Sequence, residues 1–356
     1  MAAYSAADPV PVFAPFFHAW ERRLAAVSTT NRTVRPFDWG LDWLPANGVH
    51  REVSHEARLD AYVKSVLADS DRYFTPDPTT DYELTPAQGD EPAWLRFPTS
   101  RSTPHPENNV VHARYFPGAP GRCQRRRAVV VMPQWNSDLR GHVGLSKLLA
   151  RFGISALRLS LPYHDRRMPP ELRRADYIVS SNVARTLEVC RQAVHDARRA
   201  IWWLEQQGYE RIGILGTSLG SCLAMLTTAH EPRIRAQALN HVSPYFADVV
   251  WRGLSTEHVR QGLEGAIDLE QLRRLWMPIS PYQYLERITD RRTLLVYARY
   301  DLTFPVDLSR EIIAECRRRR IPHQVRVLPC GHYTTGSAPF KYVDGYILTK
   351  FLLKNL

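Results

Sequence analysis

The chain has 356 residues, of which 44% are hydrophobic and 23% are charged, a balance typical of a folded globular protein. No apolar run reaches the ~18–20 residues that cross a bilayer. Prolines interrupt the apolar stretch near the N-terminus, which also lacks the leading basic residue of a signal peptide. These features argue against a membrane span and against export, and they predict a cytoplasmic protein.

The formal net charge is +11, and arginine supplies most of it. The arginines stand in short, separated groups without the interleaved aromatic residues of a nucleic-acid-binding stripe. This distribution predicts a solvated, arginine-rich surface and no nucleic-acid partner. The five cysteines are odd in number and lack C-x-x-C spacing, which favours free thiols over a disulfide framework or a zinc site.

Residues 1–108 differ from the rest in being rich in proline and tryptophan. Two stretches, around Phe16–Ala26 and Glu56–Ser70, have helical periodicity. This pattern predicts that residues 1–108 form an N-terminal extension packed on a main domain, residues 109–356. We predict no catalytic chemistry for the extension.

Strand and helix patterns alternate from Val110 to the end of the chain. Short apolar runs predict buried strands, and amphipathic stretches closed by glycine predict helices; Ser180 or Ser181 is the expected cap of the longest helix. The alternation predicts an α/β fold with a mostly parallel central sheet and helices on both faces. The predicted strands are Val110–Tyr115, Ala128–Met132, Ile154–Leu161, Ile212–Leu215, Ala236–Leu239, Thr293–Ala298 and Gln324–Leu328, and the predicted helices are Gly141–Phe152, Asn182–Gln207, Ser218–His230, Val306–Arg319 and Tyr342–Leu353.

One segment, residues 245–290, breaks the alternation. It carries helical stretches around Thr256–Gly262 and Leu269–Trp276 but no strand. An insertion of this length between two core strands is usually functional, and it predicts a helical cap over the carboxyl edge of the sheet. Its aromatic residues, Trp251 first among them with Phe246 and Trp276, line a substrate pocket or form the core of the cap.

The nucleophile is expected at Ser218, in Gly216-Thr217-Ser218-Leu219-Gly220. This G-x-S-x-G sequence follows a predicted strand and opens a predicted helix, which is the context of a nucleophile elbow. The sharp turn strains the serine backbone and leaves no room for side chains two residues before and after it.

An acid and a base follow in the order Ser…Asp…His. Asp301 comes directly after a core strand, where catalytic residues of α/β sheets gather; Asp307 and Asp248 are its rivals. His332 follows the last strand and has a glycine before it, whereas His323 begins that strand. The sequence predicts a Ser218–His332–Asp301 triad.

Acyl chemistry also needs donors for an oxyanion. The backbone N–H of Leu219 is one expected donor, and the N–H of Trp135 or of Gln134, after the strand that ends at Met132, is the other.

A further loop, Leu161-Pro-Tyr-His-Asp-Arg-Arg167, is expected to line the pocket. Tyr163 and His164 are candidate substrate contacts, and Arg166 or Arg167 is a candidate partner for an anionic group. A loop held by salt bridges is an equally good interpretation of the same residues.

From Val110 to Leu356 the chain resembles the α/β-hydrolase superfamily. Three sequence segments resemble the abhydrolase-domain-containing family 18 branch: Pro133-Gln-Trp-Asn-Ser-Asp, the loop after Leu161, and Cys330-Gly-His-Tyr. The resemblance implies a Ser–Asp–His hydrolase without a cofactor or metal. The His-Gly usual at the oxyanion loop is replaced by Pro133-Gln134.

The expected function is cleavage of a carboxylic ester of a small molecule through an acyl-serine. The same residues would serve a thioesterase, an amidase or peptidase, or an acyltransferase, and a non-catalytic binding protein with this fold is the remaining alternative. The chemical nature of the acyl group and the oligomeric state do not follow from the sequence.

Overall fold

A computed structural model describes residues 12–28, 31–45, 53–89, 91–119 and 126–356. In these ranges no helix has the length and apolar character needed to cross a bilayer.

The described part of the chain forms a nine-stranded sheet of order β1-β2-β3-β5-β4-β6-β7-β8-β9. The strands from β5 to β9 in this order pair in parallel, and β1, β2 and β3 add an antiparallel edge. The predicted mostly parallel sheet is therefore confirmed. The strands are β1 (Glu83–Thr85), β2 (Ala93–Pro98), β3 (Val110–Phe116), β4 (Arg127–Met132), β5 (Ser155–Leu159), β6 (Arg211–Thr217), β7 (Ile234–Asn240), β8 (Arg292–Ala298) and β9 (His323–Leu328).

Helices cover both faces of the sheet, and each face has its own apolar core. The larger core joins the sheet to α5, α6, α10 and the cap, whereas the smaller core joins it to α4 and α11. The helices are α1 (Ala14–Ser28), α2 (His55–Ala68), α3 (Ser70–Phe74), α4 (Val143–Arg151), α5 (Val183–Gln206), α6 (Leu219–His230), α7 (Phe246–Arg252), α8 (Glu257–Leu263), α9 (Leu269–Leu275), α10 (Val306–Arg318) and α11 (Phe340–Asn355).

The first 108 residues contribute two strands that the sequence analysis did not predict. Strand β2 pairs with β3 along its whole length, from Ala93 opposite Tyr115 to Pro98 opposite Val110. The three residues of β1 are all exposed, so they carry no apolar alternation that a sequence pattern would reveal. The domain boundary at residue 108 stays a prediction.

The residue that caps the N-terminus of α5 differs from the predicted one. Asn182 is the N-cap, and its side chain accepts a hydrogen bond from the Arg185 amide at 2.9 Å. The predicted cap Ser181 instead donates its hydroxyl to backbone carbonyls of residues 35 and 36. The hydroxyl therefore ties the N-terminal part of the chain to the start of α5.

Candidate active site

The G-x-S-x-G segment forms a sharp turn between β6 and α6. Ser218 has a φ of 56° and a ψ of −121°, which is a strained conformation for a residue with a side chain. An added Cβ at Gly216 would lie 2.1 Å from the carbonyl oxygen of Gly220, and one at Gly220 would lie 2.1 Å from that of Met132. The two glycines therefore let the turn close and let the end of β4 pack against it.

Ser218, His332 and Asp301 are joined by hydrogen bonds. The Oγ of Ser218 lies 3.0 Å from Nε2 of His332, and Nδ1 of His332 lies 2.9 Å from Oδ2 of Asp301. Each of the three residues stands where a strand meets its following loop or helix at the carboxyl edge. The geometry is that of a nucleophile, a base and an acid that orients the base.

Asp301 has a second histidine partner that the sequence analysis missed. Nδ1 of His241 lies 2.8 Å from the same Oδ2, while the backbone amides of Thr303 and Phe304 donate to Oδ1 at 2.8 and 2.7 Å. His241 directly follows β7, so the rule that selected Asp301, a polar residue just after a core strand, also marks it. These four donors fix the orientation of the carboxylate.

The charges in this cluster favour His332 as the residue that becomes protonated. Burial and the neighbouring His332 lower the pKa of His241. Burial also acts to lower the pKa of His332, but the negative charge and hydrogen bond of Asp301 outweigh it and the net shift is upward. Burial acts to raise the pKa of Asp301, yet the two histidines hold that pKa well below its usual range.

The rival residues are engaged elsewhere. Asp307 pairs with Arg252 at 2.8 Å on the surface, and Asp248 is buried against Arg273. His323 lies at the start of β9, where its Nδ1 is 2.8 Å from a backbone carbonyl. The hydrogen bonds of the cluster therefore involve Asp301 and His332 and none of these three residues.

The predicted oxyanion loop lies against the elbow, because the close approach of Gly220 to residues 132 and 133 joins the two segments. The amide of Leu219 is in the first turn of α6, where helix geometry leaves N–H groups without an intrahelical acceptor. In the loop, the Asn136 and Ser137 amides donate to His164 Nε2 and to the Gln134 carbonyl, at 2.9 and 3.1 Å. The roles of the Leu219, Trp135 and Gln134 amides stay predictions.

The residues after β5 that were predicted to contact a substrate make hydrogen bonds and ring contacts with other parts of the protein. His164 is buried, its Nδ1 lies 2.9 Å from the Pro162 carbonyl oxygen, and burial lowers its pKa to about 4. A neutral ring donates at Nδ1 and accepts at Nε2, so His164 supports the oxyanion loop. Tyr163 is buried with its hydroxyl 3.0 Å from His105 Nδ1, and the guanidinium of Arg166 lies over the Trp94 ring.

Arg167 is fully buried and paired with Asp196 at 2.8 Å. These contacts favour the alternative interpretation of the loop, a segment fixed by internal bonds, while direct contact of Tyr163, His164 or Arg166 with a substrate stays a prediction.

The cap contacts three of the loops around Ser218. The Oγ of Ser255 lies 3.0 Å from the Thr303 hydroxyl and 2.7 Å from the Tyr333 hydroxyl. It therefore lies between the loop after β8 that carries Asp301, called here the acid loop, and the loop after β9 that carries His332, called here the base loop. The ring of His258 stacks on that of Trp135 in the oxyanion loop, with centroids 5.8 Å apart. The cap therefore lies on the same edge of the sheet as Ser218.

The three aromatic residues of the cap that were predicted as candidates for a pocket wall differ in burial. Trp276 is fully buried, packs against Phe246 and donates from Nε1 to the Val183 carbonyl at 3.1 Å, so it belongs to the interior between cap and α5. Trp251 is only partly buried. Its place in a pocket wall stays a prediction.

Three potential metal-ligand atoms, one each from His241, Asp301 and His332, lie within 4.8 Å of one another. Hydrogen bonds from the two histidines to Asp301 already join these three residues. The expectation that no metal or cofactor is needed stays a prediction. The four cysteines in the described part of the chain are free and buried, and Cys123 lies outside it.

Residues 100–262 match the family model described as alpha/beta hydrolase domain containing 18. No curated protein sequence matches the chain. Among solved structures, acetyl xylan esterase 1 from Thermoanaerobacterium sp. JW/SL YS485 has a TM-score of 0.59 at 15% identity, covering 94% of this chain and 98% of the esterase. The acetyl xylan esterase from Paenibacillus sp. R4 has the same TM-score at 17% identity, covering 90% and 100%.

An acylaminoacyl peptidase from Pyrococcus horikoshii also has a TM-score of 0.59, at 13% identity, over 78% of this chain. The chain spans only 42% of the length of that peptidase. At these identities the similarity shows the fold. The chain therefore has the α/β-hydrolase fold, and its residues 100–262 carry the pattern of the family described as alpha/beta hydrolase domain containing 18.

Proposed function

We propose that the protein is a serine hydrolase that cleaves a carboxylic ester of a small molecule through an acyl-serine at Ser218. The observation that carries the proposal is the chain of hydrogen bonds from Ser218 Oγ through His332 to Asp301, with distances of 3.0 and 2.9 Å. The strained elbow supports it, since it holds the serine hydroxyl at the carboxyl edge of the sheet.

In the acylation step, Nε2 of His332 takes the proton of Ser218 as Oγ attacks the ester carbonyl carbon. Asp301 holds the imidazole in the tautomer with its proton on Nδ1 and stabilises the imidazolium. The amide of Leu219, with that of Trp135 or Gln134, donates to the oxyanion of the tetrahedral intermediate. The imidazolium then gives its proton to the leaving alcohol, and the acyl group stays on Ser218.

In the deacylation step, His332 takes a proton from water, and the resulting attack on the acyl-serine releases the carboxylic acid. The imidazolium returns the proton to Ser218 Oγ. Both steps use only groups of this chain and water, so the proposal needs no cofactor or metal.

Thioester or amide cleavage and transfer of the acyl group to an acceptor would use the same residues. The proposal favours an ester over an amide because an alcohol is a better leaving group than an amine, and it favours hydrolysis over transfer because water is the acceptor at highest concentration. A panel of p-nitrophenyl esters of increasing chain length, an acyl-thioester and an acyl-anilide separates these activities by their kcat/KM values.

The decisive test is covalent labelling by a fluorophosphonate probe. We expect the wild-type protein and a Ser65→Ala control, which removes an exposed hydroxyl on α2, to be labelled and to hydrolyse p-nitrophenyl butyrate. We expect Ser218→Ala to lose both the probe labelling and the hydrolysis of p-nitrophenyl butyrate. Labelling that persists in Ser218→Ala would rule out Ser218 as the nucleophile, and a folded wild-type protein that neither reacts nor turns over any member of the panel would favour the non-catalytic binding protein.

A further inference from the structure

Helix α1, from the N-terminal part of the chain, packs against the loops that carry the acid and the base. The Phe17 ring stacks on that of Tyr300, with centroids 4.5 Å apart and planes within 7°. Tyr300 directly precedes Asp301, and its amide donates to the Cys330 carbonyl, two residues before His332. One turn further along α1 lies Glu21, whose side chain is completely buried.

The carboxylate of Glu21 holds the backbone that follows His332. Its Oε2 accepts from the Tyr333 amide at 2.8 Å, and its Oε1 accepts from the Thr334 amide and the Thr334 hydroxyl, both at 2.9 Å. Hydrogen bonds to an ionised acceptor are shorter and stronger than neutral ones. Three of them on consecutive residues fix the direction in which the chain leaves His332.

Gly331, the residue before His332, packs closely against the same carboxylate. An added Cβ at Gly331 would lie 2.3 Å from the carboxyl carbon of Glu21, so only glycine allows this approach. The Gly331 amide donates to the Thr334 hydroxyl at 2.7 Å, and that hydroxyl in turn donates to Glu21. The backbone on both sides of His332 is therefore tied to one side chain of α1.

We propose that Glu21 is a positioning residue for His332, which aims Nε2 at Ser218 by holding the base loop and which stabilises the imidazolium by its negative charge. The inference rests on the proposed function, because it assigns His332 as the base. It makes α1 a part of the catalytic apparatus, although the sequence analysis predicted no chemistry for the N-terminal segment.

The groups around Glu21 and His332 determine how the charge of the carboxylate acts on the imidazole. None of the three donors to Glu21 carries a charge, so they do not cancel the field of the carboxylate. Glu21 acts together with Asp301 to raise the pKa of His332 against the effect of burial. The titratable groups that face His332 are Asp301 from the acid loop, His241 from the end of β7, Tyr333 from the base loop and Glu21 from α1. The Ser218 hydroxyl faces it from the elbow.

The test compares Glu21→Gln with Arg22→Gln, which removes a charge from the exposed side of the same helix. NMR titration of the labelled His332 ring gives its pKa without reference to activity. We expect Glu21→Gln to lower that pKa by about half a unit or more, to move the acid limb of kcat/KM to lower pH by the same amount, and to lower the plateau about tenfold. We expect Arg22→Gln to match the wild type. A folded Glu21→Gln variant with the His332 pKa and the plateau of the wild type would overturn the proposal.

Thr334→Val keeps the charge of Glu21 and removes one of its three donors, so it remains informative if Glu21→Gln does not fold. We expect a lower plateau of kcat/KM with the acid limb unmoved, and a plateau equal to that of the wild type would overturn the positioning role. Failure of the proposed function has a different signature, because the wild-type protein would then show no ester turnover and no probe labelling while the NMR comparison still reports on Glu21.

Discussion

His241 and His332 donate from the same ring position, Nδ1, to the same oxygen, Oδ2 of Asp301, at 2.8 and 2.9 Å. Their rings lie 4.2 Å apart between centroids, so two positive charges there would repel each other. In the proposed mechanism only one of the two rings is therefore protonated at a time, and the lowered pKa of His241 makes His332 that ring. In that mechanism His241 is a neutral donor that orients Asp301.

Replacing His241 by Phe keeps a ring of similar size and removes the donor. We expect kcat for p-nitrophenyl butyrate to fall about tenfold, because Asp301 loses one of four hydrogen bonds while the Thr303 and Phe304 amides still hold it. Wild-type kcat in a folded His241→Phe variant would show that the three remaining donors are enough. Thermal unfolding separates a local effect from a loss of structure.

Asp301→Asn should cost far more activity than Asp307→Asn. The amide cannot hold the imidazole tautomer or stabilise imidazolium, which is worth on the order of 10⁴ in rate. Asp307 is exposed and pairs with Arg252 on the surface, so its variant is the matched control and should keep nearly all activity. Steady-state kinetics decides, and equal losses would transfer the role of the acid away from Asp301.

The activity should have an acid limb with a midpoint above pH 6.5. The base must be unprotonated to accept the serine proton, and the pKa of His332 is raised above its ordinary value of 6.5. Activity is therefore full above the raised pKa and is lost as the pH falls through it. The measurement is kcat/KM from pH 5 to 9, with circular dichroism at each pH as the control for unfolding. A midpoint below 6.5 would contradict the balance of charges around His332.

Gly220→Ala should destabilise the protein and abolish activity. The new methyl group would lie 2.1 Å from the Met132 carbonyl oxygen and 2.5 Å from that of Pro133, so the elbow and the oxyanion loop cannot keep their positions together. Gly345→Ala is the control, because a Cβ there meets nothing within 4 Å and alanine favours the α11 helix by about 1 kcal/mol. Thermal unfolding should show a lower Tm for the first variant and an unchanged or higher Tm for the second.

Trp276→Ala and Trp251→Ala should have different effects. Trp276 is fully buried, and its truncation should cost about 3–5 kcal/mol of unfolding free energy. Trp251 is partly exposed, so its truncation should leave stability nearly intact and change the preferred acyl length if the ring lines the pocket. Chemical denaturation and the panel of ester chain lengths test the two outcomes. A loss of stability at Trp251 equal to that at Trp276 would assign both rings to the cap interior.

The sequence was most informative where local pattern and position suffice. Apolar runs bounded by turns predicted the parallel strands, and the position of a residue after a strand marked Ser218, Asp301 and His332, which the structure brings together. Glu21 escaped prediction because its partners lie 312 and 313 residues away, and no helical pattern tells where such a carboxylate will dock. The edge strand β1 escaped because its residues are all exposed.

The separation between Glu21 and the base loop also bears on when the site forms as the chain folds. Contacts between segments far apart in the chain carry a loop-closure cost and tend to form late. During synthesis α1 leaves the ribosome well before the loop around His332, so the Glu21 carboxylate stays without donors that lie 312 and 313 residues later until that loop has also been made. Hydrolytic competence should accordingly appear after the sheet has formed, and refolding followed both by circular dichroism and by probe labelling should show secondary structure returning before reactivity.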